Sequence, residues 1–235
     1  MSKAVILAAG RGTLMGDLTS GLPKPMLSAG GRPILEILLD RLIEAGYSEV
    51  LIVTGYRAEQ IEEYFRNYRL PLHFVRQPHP DGTATAALLA RDFIGPDDFL
   101  LTFGDILAPC PCYREILNGL RSDAEVEAML GVKEVEDPYQ GAAVYAGSEG
   151  RVTRIVEKPP RGQSATRWNS AGIYAARPSL FPELESTPRS ARGEFELTSA
   201  IGQLIAGGKL LRLFPVKGAW RDIGRPEDLA ALSTL

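Results

Sequence analysis

Apolar residues in the first hundred positions follow two alternating patterns. Short apolar runs occur at Ala4–Leu7, Val50–Thr54, Leu72–Val75 and Phe99–Phe103. Runs of this length bounded by turn residues predict strands covered on both faces. Between them, Pro33–Ala45, Ala58–Tyr68 and Thr83–Phe93 repeat apolar residues at helical spacing. In the first of these, Leu35, Leu38, Leu39 and Leu42 share one face, with Ile34 and Ile37 beside it. Pro33 opens that segment and Gly46 follows it, so a well-buried helix is predicted. Strands alternating with helices predict a mostly parallel sheet with helices on both faces.

Beyond a further predicted helix at Tyr113–Leu120 the pattern changes. Val126–Val132, Ala142–Tyr145, Val152–Val156 and Ala171–Ala175 read as strands without regular helices between them, joined by turns such as Ser148-Glu149-Gly150. They predict an antiparallel or mixed extension of the sheet that closes over one edge of the site. Helices near Phe195–Ala206 and Pro226–Leu232 follow, and Arg161–Arg167 and Ser186–Arg192 read as mobile loops. No repeat, low-complexity tract or linker interrupts the chain.

Composition narrows the class. The chain has 235 residues, 45% hydrophobic and 23% charged, which suits an ordinary globular protein. A net charge of −3 argues against a general nucleic-acid binder. No apolar run approaches the roughly 20 residues that span a membrane. Met1-Ser2-Lys3 runs into the first strand without a signal peptide's apolar stretch, so a cytoplasmic location is expected. Cys110 and Cys112 stand too close together for an unstrained disulfide and are expected to be plain loop residues.

Chemistry enters at the start of the chain. Val5-Ile6-Leu7-Ala8-Ala9-Gly10-Arg11-Gly12-Thr13 ends a strand in small residues, and Pro23-Lys24-Pro25-Met26-Leu27 then fixes a lysine between prolines. Glycines let backbone N–H groups converge on phosphate oxygens, and the lysine supplies the matching charge. No Gly-Lys-Ser/Thr end of a P-loop is present. The dinucleotide fingerprint fails too: its third glycine falls on Met15, and the segment runs on through Gly21, Pro23 and Pro25 as loop. A nucleoside triphosphate is the implied ligand.

Three elements in order resemble the superfamily of sugar-1-phosphate nucleotidyltransferases, such as glucose-1-phosphate thymidylyltransferases and uridylyltransferases. They are Leu7-Ala8-Ala9-Gly10-Arg11-Gly12-Thr13-Leu14, Pro23-Lys24-Pro25-Met26 and Gly31-Arg32-Pro33-Ile34-Leu35-Glu36. The resemblance implies a Rossmann-like three-layer α/β sandwich with a mixed, mostly parallel sheet. It implies one domain over residues 1–235, with a nucleotide-binding part to about 110 and a sugar-phosphate part from about 111. One departure is Leu14, where the family carries an arginine that contacts the triphosphate; Arg11 offers a partial substitute.

Further matches extend the implied site. Gln77, Gly82 and Thr83 match the family's base-reading segment, joining Leu7, Ala9, Gly10, Gly12 and Thr13 as nucleotide-binding residues. An amide such as Gln77 serves uracil, thymine or, turned over, cytosine. Asp105, after a strand end, and Asp222, in Trp220-Arg221-Asp222-Ile223-Gly224, match the family's two Mg²⁺ ligands, while Asp228 is expected to cap the last helix. Gly141, Glu157, Lys158 and Asn169 match the acceptor pocket, with glutamate on sugar hydroxyls and lysine on the sugar phosphate. Gly193-Glu194-Phe195-Glu196-Leu197-Thr198 echoes another family segment, although its acids also suit a helix N-terminal turn. His73 and His79 carry no motif.

The implied reaction joins a pyrimidine nucleoside triphosphate (UTP, dTTP or CTP) to a sugar-1-phosphate and releases pyrophosphate. The acceptor phosphate is already an anion, so positioning and electrostatics carry the rate, with Lys24, Arg11 and Asp105 as the catalytic set. Family members often form homo-oligomers, and neither nucleic acid nor membrane is an expected partner. Two alternatives stay open. Leu14 allows a non-catalytic nucleotide-sugar sensor or regulatory subunit, and a cytidylyltransferase acting on phosphocholine or another phosphorylated alcohol keeps the chemistry with a different acceptor.

Overall fold

The structure, a computed structural model, describes residues 2–230, apart from the side chains of Thr13, Leu14 and Ala230. Its first half comprises β1 (Lys3–Leu7), a ribbon of β2 (Ser28–Ala29) and β3 (Arg32–Pro33), α1 (Ile34–Glu44), β4 (Glu49–Thr54), α2 (Ala58–Tyr64), β5 (Leu72–Arg76), α3 (Thr83–Leu88), α4 (Arg91–Ile94) and β6 (Phe99–Phe103). Then come β7 (Ile106–Leu107), α5 (Cys110–Ser122), β8 (Val126–Glu134), β9 (Ala142–Ala146), β10 (Val152–Glu157) and β11 (Trp168–Ala176). The last elements are α6 (Leu180–Ser186), α7 (Leu197–Ala206), β12 (Leu210–Pro215), β13 (Arg221–Asp222) and α8 (Pro226–Ala230).

Side-chain alternation in β1 builds the layers. Ala4 and Ile6 enter one core with α1 and α5, whereas Val5 and Leu7 enter a second core with α3, α6 and α7. Successive residues of a strand point to opposite faces, so an all-apolar strand requires cover on both sides. The leucine stripe of α1 is fully buried in the first core. Each such leucine contributes about 1.5–3 kcal/mol relative to exposure.

Parallel strands β6, β1, β4 and β5 lie side by side in that order. The sheet forks at β11. Its second half pairs antiparallel with β6, its first half meets β9 at Asn169↔Ala143, and β8 pairs along its other edge across a bulge between Ser170 and Tyr174. β10 extends β9, and β12 adds to β8 in parallel. The result is the expected three-layer α/β architecture with a mixed sheet.

Several local expectations are corrected. The helix expected over Thr83–Phe93 divides in two because Leu89 and Ala90 make tighter bonds to Ala86 and Ala87. The helix from Ala58 stops at Tyr64, where Phe65 leaves helical geometry and Tyr68 closes a turn on it. Helix α6 and strand β12 lie outside the predicted elements. Cys110 and Cys112 are buried, unbridged residues in the first turn of α5 rather than loop residues, and burial pushes both thiols up. The expected end of the final helix at Leu232 lies outside the described residues. No helix among them is long and apolar enough to cross a membrane.

Candidate active site

From β1 the chain crosses to β4 and β5 on one side, then returns to β6 on the other. Such a reversal opens a crevice at the carboxyl ends of the strands. Hydrogen bonds splay the chain there: Ala8 N–H donates to Val53 O at 2.8 Å, and Gly104 N–H donates to Leu7 O at 2.9 Å. A cavity of about 510 Å³ results, lined by Leu7, Ala9, Gly10, Arg11, Gly12, Lys24, Gln77, Gly82, Thr83 and Asp105 among others. Residues far apart in the chain therefore meet on one surface.

Gly12 lets the lysine settle over the loop. Its φ is +65°, and a Cβ there would lie 2.8 Å from Lys24 Cβ. Lys24 follows an extended Pro23 and begins the short turn Lys24–Met26, which directs its Nζ into an ion pair with Asp105 Oδ2. Arg11 lines the cavity with its guanidinium 5.3 Å from the Tyr56 ring centroid. Tyr56 Oη donates to Ser20 O at 2.8 Å, and Gln60 Nε2 donates to Gly21 O at 3.0 Å, so α2 and the turn before it brace the loop. Thr13 backbone continues the loop into a 3-10 segment, but its side chain and that of Leu14 lie outside the described residues.

At the opposite wall, Gln77 N–H donates to Thr54 O at 2.8 Å. Gly82 has φ +143°, and a Cβ there would stand 2.1 Å from Phe195 O. This close approach zips the segment to the start of α7: Phe195 N–H donates to Asp81 O and Ala84 N–H to Phe195 O, both at 2.8 Å. The hydroxyl of Thr83 accepts from Leu197 N–H at 2.9 Å, so it joins α3 to α7 while Thr83 lines the cavity.

Asp222 arrives from the far end of the chain. In the β7–β13 ribbon it stands opposite Ile106, and Ile223 N–H donates to Asp105 O at 3.0 Å. Burial in the cleft and the charge of Asp105 push the Asp222 carboxyl up to about 6, against the opposing charges of Lys24 and Lys158. Asp222 as a residue is exposed, so solvent offsets part of the burial effect and carboxylate repulsion stays in force. Asp228 adds its charge to the effect on Asp222, while its Oδ2 accepts from Gly224 and Arg225 N–H at 2.9 and 2.7 Å, beside the start of α8.

A second cluster adjoins the cavity. Lys158 holds φ +40°, unusual for a side-chain-bearing residue, and its N–H donates to Gly141 O at 2.7 Å. Such backbone strain costs on the order of 1–3 kcal/mol and persists where the surroundings impose it. Among the described residues its ammonium makes no ion pair, yet its charge acts on both Glu157 and Asp222. Gly141 packs on Asn169, whose buried Oδ1 has no hydrogen-bond partner among the described residues. Burial and then the nearby Glu196 push Glu157 up.

Arg192 is the residue that sequence reasoning missed. Its guanidinium lies 3.6 Å from Glu157 Oε1 and 3.1 Å from Glu196 Oε1. Glu196 therefore pairs with Arg192 and accepts from Ser190 Oγ, and makes no side-chain cap on α7. The loop expected to be mobile brings a cation to this second cluster. An arginine among Ser, Ala and Gly has no local signature; only the echo of the family segment at Gly193–Thr198 pointed near it.

The family described as nucleotidyl transferase matches residues 3–235, and the chain belongs to that family. The N-terminal motifs are thus those of the sugar-1-phosphate nucleotidyltransferase superfamily. The chain is 35% identical over 231 residues to a bifunctional protein GlmU of Methanococcus maripaludis, covering 98% of this chain and 53% of that protein. It therefore spans about half the length of such GlmU relatives. With the UTP--glucose-1-phosphate uridylyltransferase AglF of Haloferax volcanii it shares 33% over 231 residues, covering 96% of this chain and 93% of that protein. A solved UDP-glucose pyrophosphorylase from Acinetobacter baumanii superposes with a TM-score of 0.86 at 25% identity, over 99% of this chain and 92% of the other.

Proposed function

We propose that this protein transfers a nucleotidyl group from a pyrimidine nucleoside triphosphate to a sugar-1-phosphate, forming a nucleotide-sugar and pyrophosphate. One observation carries the reading: the Lys24–Asp105 ion pair lines the same cavity as the glycine loop, and the charge of Asp105 acts on Asp222. The likenesses to AglF and to UDP-glucose pyrophosphorylase support the sugar-phosphate acceptor.

Two carboxylates that repel each other, with one lysine between them, suit a hard divalent cation of the Mg²⁺ type, which takes one or two carboxylates and fills its other positions with phosphate and water. Asp105 and Asp222 would hold Mg²⁺, and its chemistry would be to neutralise charge on the reacting phosphates. The chain's own groups divide the remaining work. Backbone N–H groups at Gly10, Gly12 and Thr13, with Arg11, hold the β- and γ-phosphates. Lys24 stabilises charge at the α-phosphate, and Gln77 with Gly82 meets the base. Lys158 and Arg192 anchor the sugar phosphate, while Glu157, Asn169 and the Gly141 backbone take sugar hydroxyls.

An oxygen of the sugar phosphate attacks the α-phosphorus in line. The bond from that phosphorus to the β-phosphate oxygen breaks, and its electron pair leaves with pyrophosphate. No proton has to move, so no general base is required, and orientation with charge stabilisation supplies the rate. The reading places the reaction in the cytoplasm. Leu14 favours a second reading, a nucleotide-sugar sensor without turnover. Pyrophosphate release across a panel of triphosphates and sugar phosphates with Mg²⁺ tests the two. Release supports transfer; binding without release on every pair supports the sensor.

A further inference from the structure

Gln77 on its own can serve two kinds of base, because turning its amide exchanges donor for acceptor. Its surroundings remove that freedom. Nε2 donates toward Gly82 O at 2.9 Å, Thr85 Oγ1 at 3.0 Å and Asp81 Oδ1 at 3.2 Å. Thr85 Oγ1 itself lies 2.6 Å from Asp81 Oδ1 and 2.9 Å from Gly82 O, and points its single proton at these acceptors. A carboxylate and a backbone carbonyl can only accept. Turning the amide would set Oε1 against both with no proton between them, and would leave a partly buried group unsatisfied. The backbone of Asp81 is in turn held by Phe195, whose N–H donates to Asp81 O at 2.8 Å. Among the described residues nothing donates to Gln77 Oε1, and Gln77 lines the cavity. The amide therefore offers its acceptor face to a ligand.

We propose that Asp81 and Thr85 are positioning residues that lock Gln77 with its carbonyl oxygen toward the base, selecting uracil and thymine over cytosine. The ring N3 of uracil or thymine carries a proton that Oε1 accepts. That of cytosine is a bare acceptor and meets Oε1 as like against like. This rests on the nucleotidyl-transfer reading and narrows its donor to UTP or dTTP. It also opposes the reading in which CTP serves a phosphorylated alcohol.

Calorimetric binding of UTP, dTTP and CTP to the wild type, Asp81→Asn, Thr85→Val and Thr85→Ser tests the proposal. The wild type is expected to bind UTP and dTTP about 10²-fold more tightly than CTP, the size of one mismatched polar contact in a desolvated site. In Asp81→Asn the new amide can donate to a turned Gln77, so the preference falls about tenfold, chiefly through tighter CTP binding. Thr85→Val, which removes one of the three acceptors of Nε2 and leaves Asp81 Oδ1 and Gly82 O in place, loosens the preference by less, and Thr85→Ser retains it. Melting curves for each variant separate this from misfolding, which weakens all three nucleotides together and leaves their ratio intact. CTP bound as tightly as UTP by the wild type, or an unaltered ratio in both Asp81→Asn and Thr85→Val, overturns the proposal while transfer stands. Absence of binding by all three nucleotides overturns the transfer reading and this proposal with it.

Discussion

Asp105 and Asp222, from the middle and the end of the chain, come within reach of each other's charge because the β7–β13 ribbon sets Asp222 opposite Ile106. Burial and then the charge of Asp105 raise the Asp222 carboxyl, and Lys24 offsets only part of that effect. Mg²⁺ is therefore expected to raise the melting temperature of the wild type. Asp222→Asn and Asp105→Asn should lose that response and at least about 10² in turnover, as expected when a preorganised charge at the reacting phosphates is removed. Thermal unfolding with and without Mg²⁺ checks the first effect independently of activity. An undiminished response in both variants would place the cation elsewhere.

Lys24→Ala is expected to lower kcat by roughly 10²–10³, the range seen when one electrostatic stabiliser of a transition state is deleted. KM for the triphosphate should change less, since the proposed holders of the outer phosphates, the glycine loop and Arg11, are left in place. Steady-state kinetics separates the two effects. Near-wild-type turnover would remove Lys24 from the reacting centre.

Gly12→Ala should damage both fold and rate. The left-handed φ of +65° costs an alanine about 1–2 kcal/mol, and its Cβ would press on Lys24 at 2.8 Å. Chemical denaturation is expected to give a lower midpoint, and kinetics a fall in kcat in the same direction as Lys24→Ala. Wild-type kcat in a destabilised variant would separate the loop's shape from the placement of the lysine.

Glu157 sets a pH dependence. Burial and then Glu196 raise its pKa in the folded protein, outweighing Lys158 and Arg192. A raised carboxyl pKa gives stability that is complete below the unfolded value, near about 4.3, and is lost as pH rises through the folded value. Glu157→Gln has no such titration. Its melting temperature relative to the wild type should rise as pH increases across that window, in the absence of ligand. A constant difference from pH 4 to 8 would contradict the assignment.

Much of this was legible in the sequence, for physical reasons that also mark where legibility ended. Buried parallel strands must be apolar on both faces, so β1, β4 and β6 announced themselves, and the leucine stripe of α1 did the same at helical spacing. Helix α6 is short and carries Pro182 in its first turn, where proline is tolerated, so local propensity does not mark it as a helix. Strand β12 follows Gly207-Gly208 and ends on Pro215, so local propensity spoke against it; pairing with β8 is what orders it.

The site divides in the same way. Glycines, Lys24 and the two aspartates sit in motifs, so each could be named in advance. Arg192 acquires its place only when α7 packs against β10 and brings Glu196 beside Glu157. Gln77 was named as a base reader, but its orientation depends on Thr85 one helical turn beyond Asp81, a relation that no motif records.

Isotope tracing of the reacting oxygens is the most direct test of the central claim, attack by the sugar phosphate on the α-phosphorus. A sugar-1-phosphate carrying ¹⁸O in its phosphate group is incubated with UTP, Mg²⁺ and the protein, and the products are weighed by mass spectrometry. The account predicts all of the label in the nucleotide-sugar and none in pyrophosphate. Label in pyrophosphate, or no nucleotide-sugar from a protein that still binds UTP, would contradict it.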